Sequence, residues 1–496
     1  ESYFTYAPEP ESSVDHDVLF RPGIAPDGTD TFTPRALVYD LKGAFGTMKR
    51  VNALYESQSD SEFMDSALWP SKPIVQRREP IPSSSYQDAL NAGLPLPSLS
   101  PSAVRYWSDY AHVYYHPKSL VQLSEFQVND TLMPFESWDV GMELFSKLER
   151  EVDLVDRDLR PFMEECDGIQ GLQILTGVDD AWGGWTSGWL ERLRDEYGKM
   201  SIWTWGLGDQ GGNPAVPRER RLQQMANSAR SLNVLAEQSS VYVPMSNRPL
   251  TAPRYLQMDW TSPWHVGALH SAAFETMTMP SRLRSSEAGH GTLTVLEDAI
   301  NSTGKRRVAK LAFSTADPDA LAERSERQED KGVNGASSKT QNGDADDSGV
   351  AEFDMDLFSR EYRVPGKRQK EKTEHVFGRV ETLRGNWGTP EGKSRDPHDW
   401  FGSGPALQRF TTSQLFPVLS SFPSIFELGD SRKDKLAVQA GLTTSTSVAG
   451  QIRTLDEIVR RLLDSDSREA MSNGLQSLAE EYEEGWSDDS DTDMDD

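Results

Sequence analysis

The chain has 496 residues, a net charge of −27 at pH 7, a mean hydropathy of −0.61 and a single cysteine, Cys166. Its length allows two or three domains, and its low hydropathy indicates that part of it lies outside any packed core. The acidic excess argues against direct binding of DNA or RNA, and one cysteine excludes intrachain disulfides and cysteine-based zinc clusters. No apolar run reaches about eighteen residues, so no transmembrane segment is predicted.

The N-terminal part predicts one short buried strand. Residues 1–32 are polar and rich in proline and glycine, which favours an irregular lead-in. Residues 36–40 have the sequence ALVYD, which predicts a strand that ends at Asp40. Open α/β sheets present ligand-binding groups at the carboxyl ends of strands, so Asp40 is a candidate binding residue. The alternative is a carboxylate that caps a loop or a helix. The proline-rich stretch 70–101 favours an extended connection.

The stretch 168–198 predicts a strand, a glycine-bearing loop and a helix. Leu172, Ile174 and Leu175 favour a strand buried on both faces. Residues 201–205 predict the next strand. A strand, helix and strand at this spacing form a βαβ unit, which is expected to be parallel and right-handed.

The loop 177–188 is the best candidate for a ligand site. Backbone N–H groups at a glycine-bearing loop and a helix N-terminus can hold a phosphate, and carboxylates can hold Mg²⁺. The residues expected to act in this way are Gly183, Gly184, Thr186 and Ser187, with Asp179 or Asp180 for the metal. The alternative is a strand-to-helix turn in which glycine and a cap from Thr186 or Ser187 serve geometry alone, with Gly198 ending the helix. A P-loop is excluded because no G-K-[ST] follows.

Further helices are predicted within 137–166, over 218–236 and after Pro263. The eight histidines form no H-E-x-x-H motif or other obvious ligand pair, so no metal site is predicted from them. No catalytic residue can be assigned, since no hydrolase triad can be argued.

The C-terminal half changes in composition. Residues 317–354 are charged and rich in glycine, serine and asparagine, which is typical of disorder, and structure is expected to resume near Phe377. The sequence TLDE at 454–457 predicts a capping box that opens a helix. Residues 480–496 hold ten acids and no base, which predicts a solvated tail; the alternative is a tail that recruits a basic partner.

Three segments resemble tubulin. They are TPRALVYDLKGAFGT at 33–47, the run from CDGIQGLQ to LERLRDEY at 166–197, and TSPWHVGALHSAAFETMTMPSR at 261–282. The wording FRPGIAPDGTDTFTPRALVYDLKGAFG resembles the Misato family, a group of tubulin-like proteins, more closely than tubulin itself. Aligned in this way, the first strand of tubulin would lie before Glu1.

The resemblance departs from tubulin where the nucleotide would bind. The glycine-rich signature of tubulin falls on the sequence DDAWGG at 179–184, so carboxylates replace part of the phosphate cradle. Lys42 stands at the position of the magnesium-side acid, although Asp40 is retained. These departures predict a protein that is not an enzyme and holds no cofactor. A GTP-binding, self-assembling tubulin relative is the alternative.

The predicted fold is α/β, a tubulin/FtsZ-like parallel sheet flanked by helices, with a divergent C-terminal part and disordered segments. The predicted divisions are a tubulin-like N-terminal segment 1–95, a core 96–300, a disordered insertion 315–372, a divergent region 373–479 and the acidic tail 480–496. The resemblance to the fungal Misato proteins implies a non-enzymatic scaffold for partitioning mitochondria and inheriting mitochondrial DNA. It also implies a mitochondrial location, peripheral on the cytosolic side, and protein partners on the mitochondrial surface or in the cytoskeleton.

Overall fold

The computed structural model describes residues 12–24, 28, 30–47, 81–209, 216–249, 251–323, 353–358, 374–387, 406–429, 433–462 and 465–483. The strands are β1 (Phe20–Ile24), β2 (Asp30–Pro34), β3 (Val38–Lys42), β4 (Leu120–Gln127), β5 (Leu172–Gly177), β6 (Ile202–Gly208), β7 (Val241–Ser246), β8 (Lys310–Ala316), β9 (Met355–Asp356), β10 (Val376–Arg384), β11 (Ala406–Thr412), β12 (Phe416–Pro417) and β13 (Lys435–Ser445). The helices are α1 (Ser85–Asn91), α2 (Trp138–Val152), α3 (Arg160–Met163), α4 (Ala181–Glu196), α5 (Arg218–Gln238), α6 (Pro263–Met277), α7 (Leu293–Ile300), α8 (Ser447–Leu462) and α9 (Ser465–Glu480).

A parallel ladder in the order β5-β6-β7 confirms the predicted βαβ unit. Strand residues alternate between the two faces of a sheet. On β6, Ile202 faces one hydrophobic core, whereas Trp203 and Trp205 face the other. The prediction that β5 is buried on both faces is wrong, because β5 ends this ladder and Leu175 is 51% exposed.

A second sheet continues from the first. Strand β7 meets the start of β8 through Tyr242, which donates from its N–H to the Arg307 carbonyl (2.7 Å) and accepts from the Ala309 N–H (3.0 Å). Within this second sheet the strand order is β11-β10-β13-β8-β9, with β12 beside β13. The link to β7 is therefore made near β8 and not at β11. The pair β10–β11 is parallel and the other pairs of this sheet are antiparallel.

Two hydrophobic cores lie on opposite faces of this architecture. One is built mainly from α2, α4, α5, α8 and α9, and the other from α6 and α7 together with strands of both sheets. Helices α5 and α6 confirm the predicted helices at 218–236 and after Pro263. Among the residues that the structure describes, no helix is both long and apolar enough to cross a membrane.

The N-terminal part is more regular than its composition predicts. Within the range 1–32, β1 pairs antiparallel with β2, from Phe20 opposite Pro34 to Ile24 opposite Asp30. Within 70–101, Ser84 caps the short helix α1 by accepting a hydrogen bond from the Gln87 N–H (3.2 Å). Local hydrogen bonds therefore build elements where proline and glycine content favours irregular chain. Residues 1–11 and 48–80 lie outside the described residues.

The predicted capping box at 454–457 is wrong. Helix α8 begins at Ser447, and Thr454 lies inside it, donating from Oγ1 to the Gly450 carbonyl (2.9 Å). The buried residues Val448 and Ile452 extend the apolar face before Thr454. A Ser/Thr side chain can bond the carbonyl four residues earlier within a helix, so the local pattern does not require a helix start.

Two segments of predicted disorder contain packed residues. Within 315–372, Met355 and Leu357 are buried, and the Leu357 N–H donates to the Leu311 carbonyl (2.9 Å). Within 480–496, Tyr482 is fully buried. A few apolar residues in a polar stretch are enough to dock it, which a composition average does not detect. The remaining parts of these predictions, 324–352, 359–373 and 484–496, lie outside the described residues.

Candidate functional site: the loop between β5 and α4

The loop that follows β5 turns directly into α4 at Asp180. This residue has extended backbone angles and accepts a hydrogen bond on Oδ1 from the Trp182 N–H (2.9 Å). Asp180 is therefore the N-cap, and the prediction that Thr186 or Ser187 caps the helix is wrong. Because the side chain of Asp180 is the best-placed acceptor for this helix end, the helix begins at Ala181, six residues earlier than a hydroxyl cap at Thr186 would start it.

The two carboxylates of the loop differ in their surroundings. Burial raises the pKa of the Asp180 carboxyl to about 7, and the charge of Asp179 adds to this rise. Asp179 accepts on Oδ2 from the Asp209 N–H (3.1 Å), at the end of β6. The loop is thus closed against β6 by one acid and against α4 by the other.

These groups set the chemistry that the loop offers. A phosphate at a helix N-terminus needs free N–H donors and positive potential. Here one first-turn donor, the Trp182 N–H, already has the Asp180 carboxyl as its acceptor. The neighbouring carboxylate of Asp179 adds like charge at the place where a phosphate would approach. The residues of this loop therefore do not fit a nucleotide phosphate.

The predicted glycines lie at helix contacts. An added Cβ at Gly184 would overlap with the Trp138 carbonyl of α2, and one at Gly183 would overlap with the Ser231 hydroxyl of α5. An added Cβ at Gly141 of α2 would in turn overlap with the Ala181 carbonyl. These positions let two helix backbones approach closely, which a side chain prevents.

The predicted hydroxyl residues also point into the protein. Thr186 is buried, and its Oγ1 lies 2.7 Å from Oγ1 of Thr176 on β5. Ser187 is fully buried and donates to the Gly183 carbonyl (2.8 Å). Both hydroxyls are thus satisfied inside the fold, and binding of a ligand by them stays a prediction.

Aromatic rings fill the space beside the loop. Trp182 packs edge-on against Phe135 with ring centroids 5.1 Å apart. Trp185 packs against Tyr39 of β3 (5.2 Å) and Phe145 of α2 (5.6 Å). The first turns of α4 are therefore covered by the protein's own side chains.

Asp40 lies within β3, two residues before its end. Its Oδ1 accepts a hydrogen bond from the neighbouring Leu41 N–H (2.8 Å), and burial raises the pKa of its carboxyl. No hydrogen bond of Asp40 reaches the loop between Gly177 and Gly188 within the described ranges. The structure thus brings Gly183, Gly184, Thr186 and Ser187 together on one helix and leaves Asp40 on another ladder.

Two residues of α5 that the sequence analysis did not single out hold the loop in place. Asn227 donates from Nδ2 to the carbonyls of Glu136 (2.7 Å) and Asp179 (3.0 Å). Ser231 donates to the Val178 carbonyl (3.0 Å). Their spacing of four residues places both polar side chains on one face of a helix. This spacing is the feature of the sequence that indicates a shared hydrogen-bonding role. Among the described residues, no group of three or more acids, histidines or cysteines could hold a metal ion.

The chain is similar to known proteins along its whole length. Residues 1–92 match the Misato Segment II tubulin-like domain, and residues 96–283 match the Tubulin domain. Protein DML1 of Phaeosphaeria nodorum is 62% identical over 499 residues, which cover 100% of this chain and 95% of that protein. Protein dml1 of Aspergillus clavatus is 42% identical over 504 residues, with the same shares. Protein DML1 of Yarrowia lipolytica is 27% identical over 512 residues, again 100% and 95%. The chain has a tubulin-like fold and belongs to the Misato/DML1 family.

Proposed function

We propose that this protein is a non-enzymatic factor for partitioning mitochondria and inheriting mitochondrial DNA, and that its tubulin-like body acts as a scaffold for protein partners. The observation that carries the non-enzymatic part is the Asp180 cap on α4. A carboxylate bonded to a first-turn N–H stands where a phosphate-binding loop needs open donors. The chemistry of the inherited site therefore favours binding of proteins over turnover of a nucleotide.

The mitochondrial part rests on the family. The resemblance to the Misato proteins implies work at the mitochondrion, peripheral on its cytosolic side, with partners on the organelle surface or in the cytoskeleton. The net charge of −27 supports an indirect effect on mitochondrial DNA, because an acidic protein is repelled by phosphates.

One experiment tests the absence of nucleotide chemistry. Full-length protein is purified, denatured with acid and analysed by ion-exchange chromatography for guanine nucleotides, with tubulin treated in parallel. We expect substoichiometric nucleotide and no change in sedimentation velocity on addition of GTP. Stoichiometric GDP or GTP, or assembly that depends on GTP, would establish the alternative of a GTP-binding, self-assembling tubulin relative.

A second experiment tests the cellular role. The chromosomal copy is placed under a repressible promoter in a fungal cell, and mitochondrial distribution and mitochondrial DNA per cell are scored after repression. We expect both to fail, and we expect rescue by the wild-type chain and by Asp180→Asn, which keeps a capping oxygen. Unchanged mitochondria and mitochondrial DNA after complete depletion would falsify the proposal.

A further inference from the structure

The turn after β4 exposes two large apolar side chains. Leu132 is 91% exposed and Met133 is 55% exposed. Asp130 holds this turn, because its Oδ1 accepts hydrogen bonds from the Leu132 N–H (2.8 Å) and the Met133 N–H (3.4 Å). Asn129, just before, has a left-handed backbone angle of φ 59°. The chain therefore fixes a backbone that presents apolar surface to solvent.

A groove of about 650 Å³ lies beside this turn, between the end of β4 and the side of α2. Its apolar lining includes Phe126, Met133, Val140 and Leu144. Along α2 it extends from Ser137 to Lys147, a length of about 15 Å at the rise of an α-helix. We call this feature the β4–α2 groove. Its length matches about three turns of a bound helix.

The rim of the β4–α2 groove is acidic. Glu125, Glu136 and Glu143 line it against one cation, Lys147. Lys147 pairs with Glu125 (3.5 Å), and Arg220 pairs with Glu136 (2.7 Å) from α5, outside the lining. Glu143 is exposed and stands one helical turn from Lys147, at the middle of the groove. An apolar floor with a carboxylate midway along its rim matches an amphipathic helix that carries Lys or Arg beside its apolar stripe.

The charge of the whole chain narrows the choice of occupant. A second copy would bring a net charge of −27 and place one acidic rim against another. An anionic membrane surface would be repelled in the same way. A basic peptide segment is attracted at long range and matches the rim at contact.

We propose that the β4–α2 groove binds a basic amphipathic helix of about three turns from a partner protein. Leu132 and Met133 cover one edge of the bound helix, and Glu143 pairs with its Lys or Arg side chains. This inference deepens the scaffold role proposed above by giving the chemistry of a partner. Binding of a peptide in solution is measured apart from any mitochondrial phenotype, so failure of either proposal is seen separately.

The probe is a fluorescein-labelled 14-residue peptide with leucine on one helical face and lysine on the other, titrated with full-length protein by fluorescence anisotropy. Leu132→Ser and Glu143→Lys are expected to weaken binding by about tenfold each, because the first removes an apolar contact and the second reverses the charge that pairs with Lys or Arg of the peptide. Leu94→Ser, at another exposed leucine, and Glu191→Lys, at an exposed acid of α4, are the matched controls and should bind like the wild type.

Three outcomes would overturn the proposal. The first is equal binding of a peptide with glutamate in place of lysine. The second is no change in affinity for Leu132→Ser and Glu143→Lys while circular dichroism shows both variants folded. The third is a dimer in sedimentation velocity, or capture by phosphatidylcholine vesicles, that Leu132→Ser abolishes, since the groove would then serve a second copy or a membrane.

Discussion

Tyr482 bonds both backbone groups of Val308, a residue 174 positions earlier in the chain. Its hydroxyl accepts from the Val308 N–H (2.6 Å) and donates to the Val308 carbonyl (2.8 Å). Next to it, the Glu481 carbonyl accepts from the Arg306 side chain (3.0 Å). Residues 481–482, which follow α9, are thereby fixed to residues 306–308, which lead into β8. Each of these two segments stabilises the other.

Tyr482→Phe tests this anchor. The substitution keeps the ring but leaves the buried Val308 N–H and carbonyl without the hydroxyl, at an expected cost of about 1–3 kcal/mol. Urea denaturation followed by circular dichroism measures the loss. Tyr114→Phe, at an exposed tyrosine, is the control and should change the free energy of unfolding by less than about 0.5 kcal/mol. Equal stability of the two variants would show that the anchor contributes nothing.

Asp180 predicts how stability depends on pH. Its pKa is about 7 in the folded chain and ordinarily 3.8, so the folded chain binds this proton more tightly than the unfolded chain. Its contribution to stability is complete below pH about 4, falls as the pH rises, and is lost above pH about 7. The loss has an upper limit of about 4 kcal/mol.

Asp180→Asn keeps an acceptor for the Trp182 N–H without the charge. We therefore expect the variant to match the wild type near pH 4 and to exceed its free energy of unfolding at pH 8. Urea titrations at a series of pH values measure the difference, with Glu191→Gln as the control at an exposed acid on the same helix. If the free energies of unfolding of the wild type and Asp180→Asn depended on pH in the same way, the raised pKa of Asp180 would be contradicted.

A glycine at the close contact between α2 and α4 and a glycine with open space around it should respond in opposite ways to the same substitution. Gly184→Ala forces a methyl group into the Trp138 carbonyl and should cost about 3 kcal/mol or more, because backbone has to move. Gly450→Ala, inside α8 with nothing within 4 Å of the added Cβ, should stabilise by about 0.5–1 kcal/mol. Thermal unfolding of both variants gives the comparison. The packing role fails if Gly184→Ala is neutral.

A buried ion pair predicts a further loss of stability. Arg384 is fully buried, pairs with Glu275 of α6, and donates to the carbonyls of Gln414 (2.9 Å) and Leu415 (2.8 Å). Arg384→Met leaves these acceptors without their donor and should cost about 3–5 kcal/mol. Arg461→Met, at an exposed arginine of α8, is the control. A decrease of less than about 1 kcal/mol in the free energy of unfolding, measured by urea denaturation, would show that the interactions of Arg384 do not stabilise the fold as expected.

The sequence predicts the βαβ unit well because its signal is local. Strand β5, the glycine-bearing turn with helix α4, and apolar β6 follow one another within a single stretch of chain. The N-cap at Asp180 and the start of α8 are harder to predict from the sequence. Several Ser, Thr and Asp residues near each helix end can act as the cap, and packing selects one of them. Asn227 and Tyr482 act on residues 48 and 174 positions away. No local sequence pattern pairs residues that lie so far apart in the chain.

The contact between α2 and α4 has a mechanical consequence. Where Gly141, Gly184 and Gly188 lie, the two helices meet backbone to backbone or backbone to ring, without a layer of adaptable side chains between them. At these positions, sliding of one helix along the other cannot be accommodated by a change of side-chain rotamer, so we expect α2 and α4 to move together as a rigid pair. The β4–α2 groove runs along α2, on one side of this pair, and Asp180 lies at the N-terminal end of α4. We therefore expect a partner bound in the β4–α2 groove to displace the loop after β5 together with the two helices.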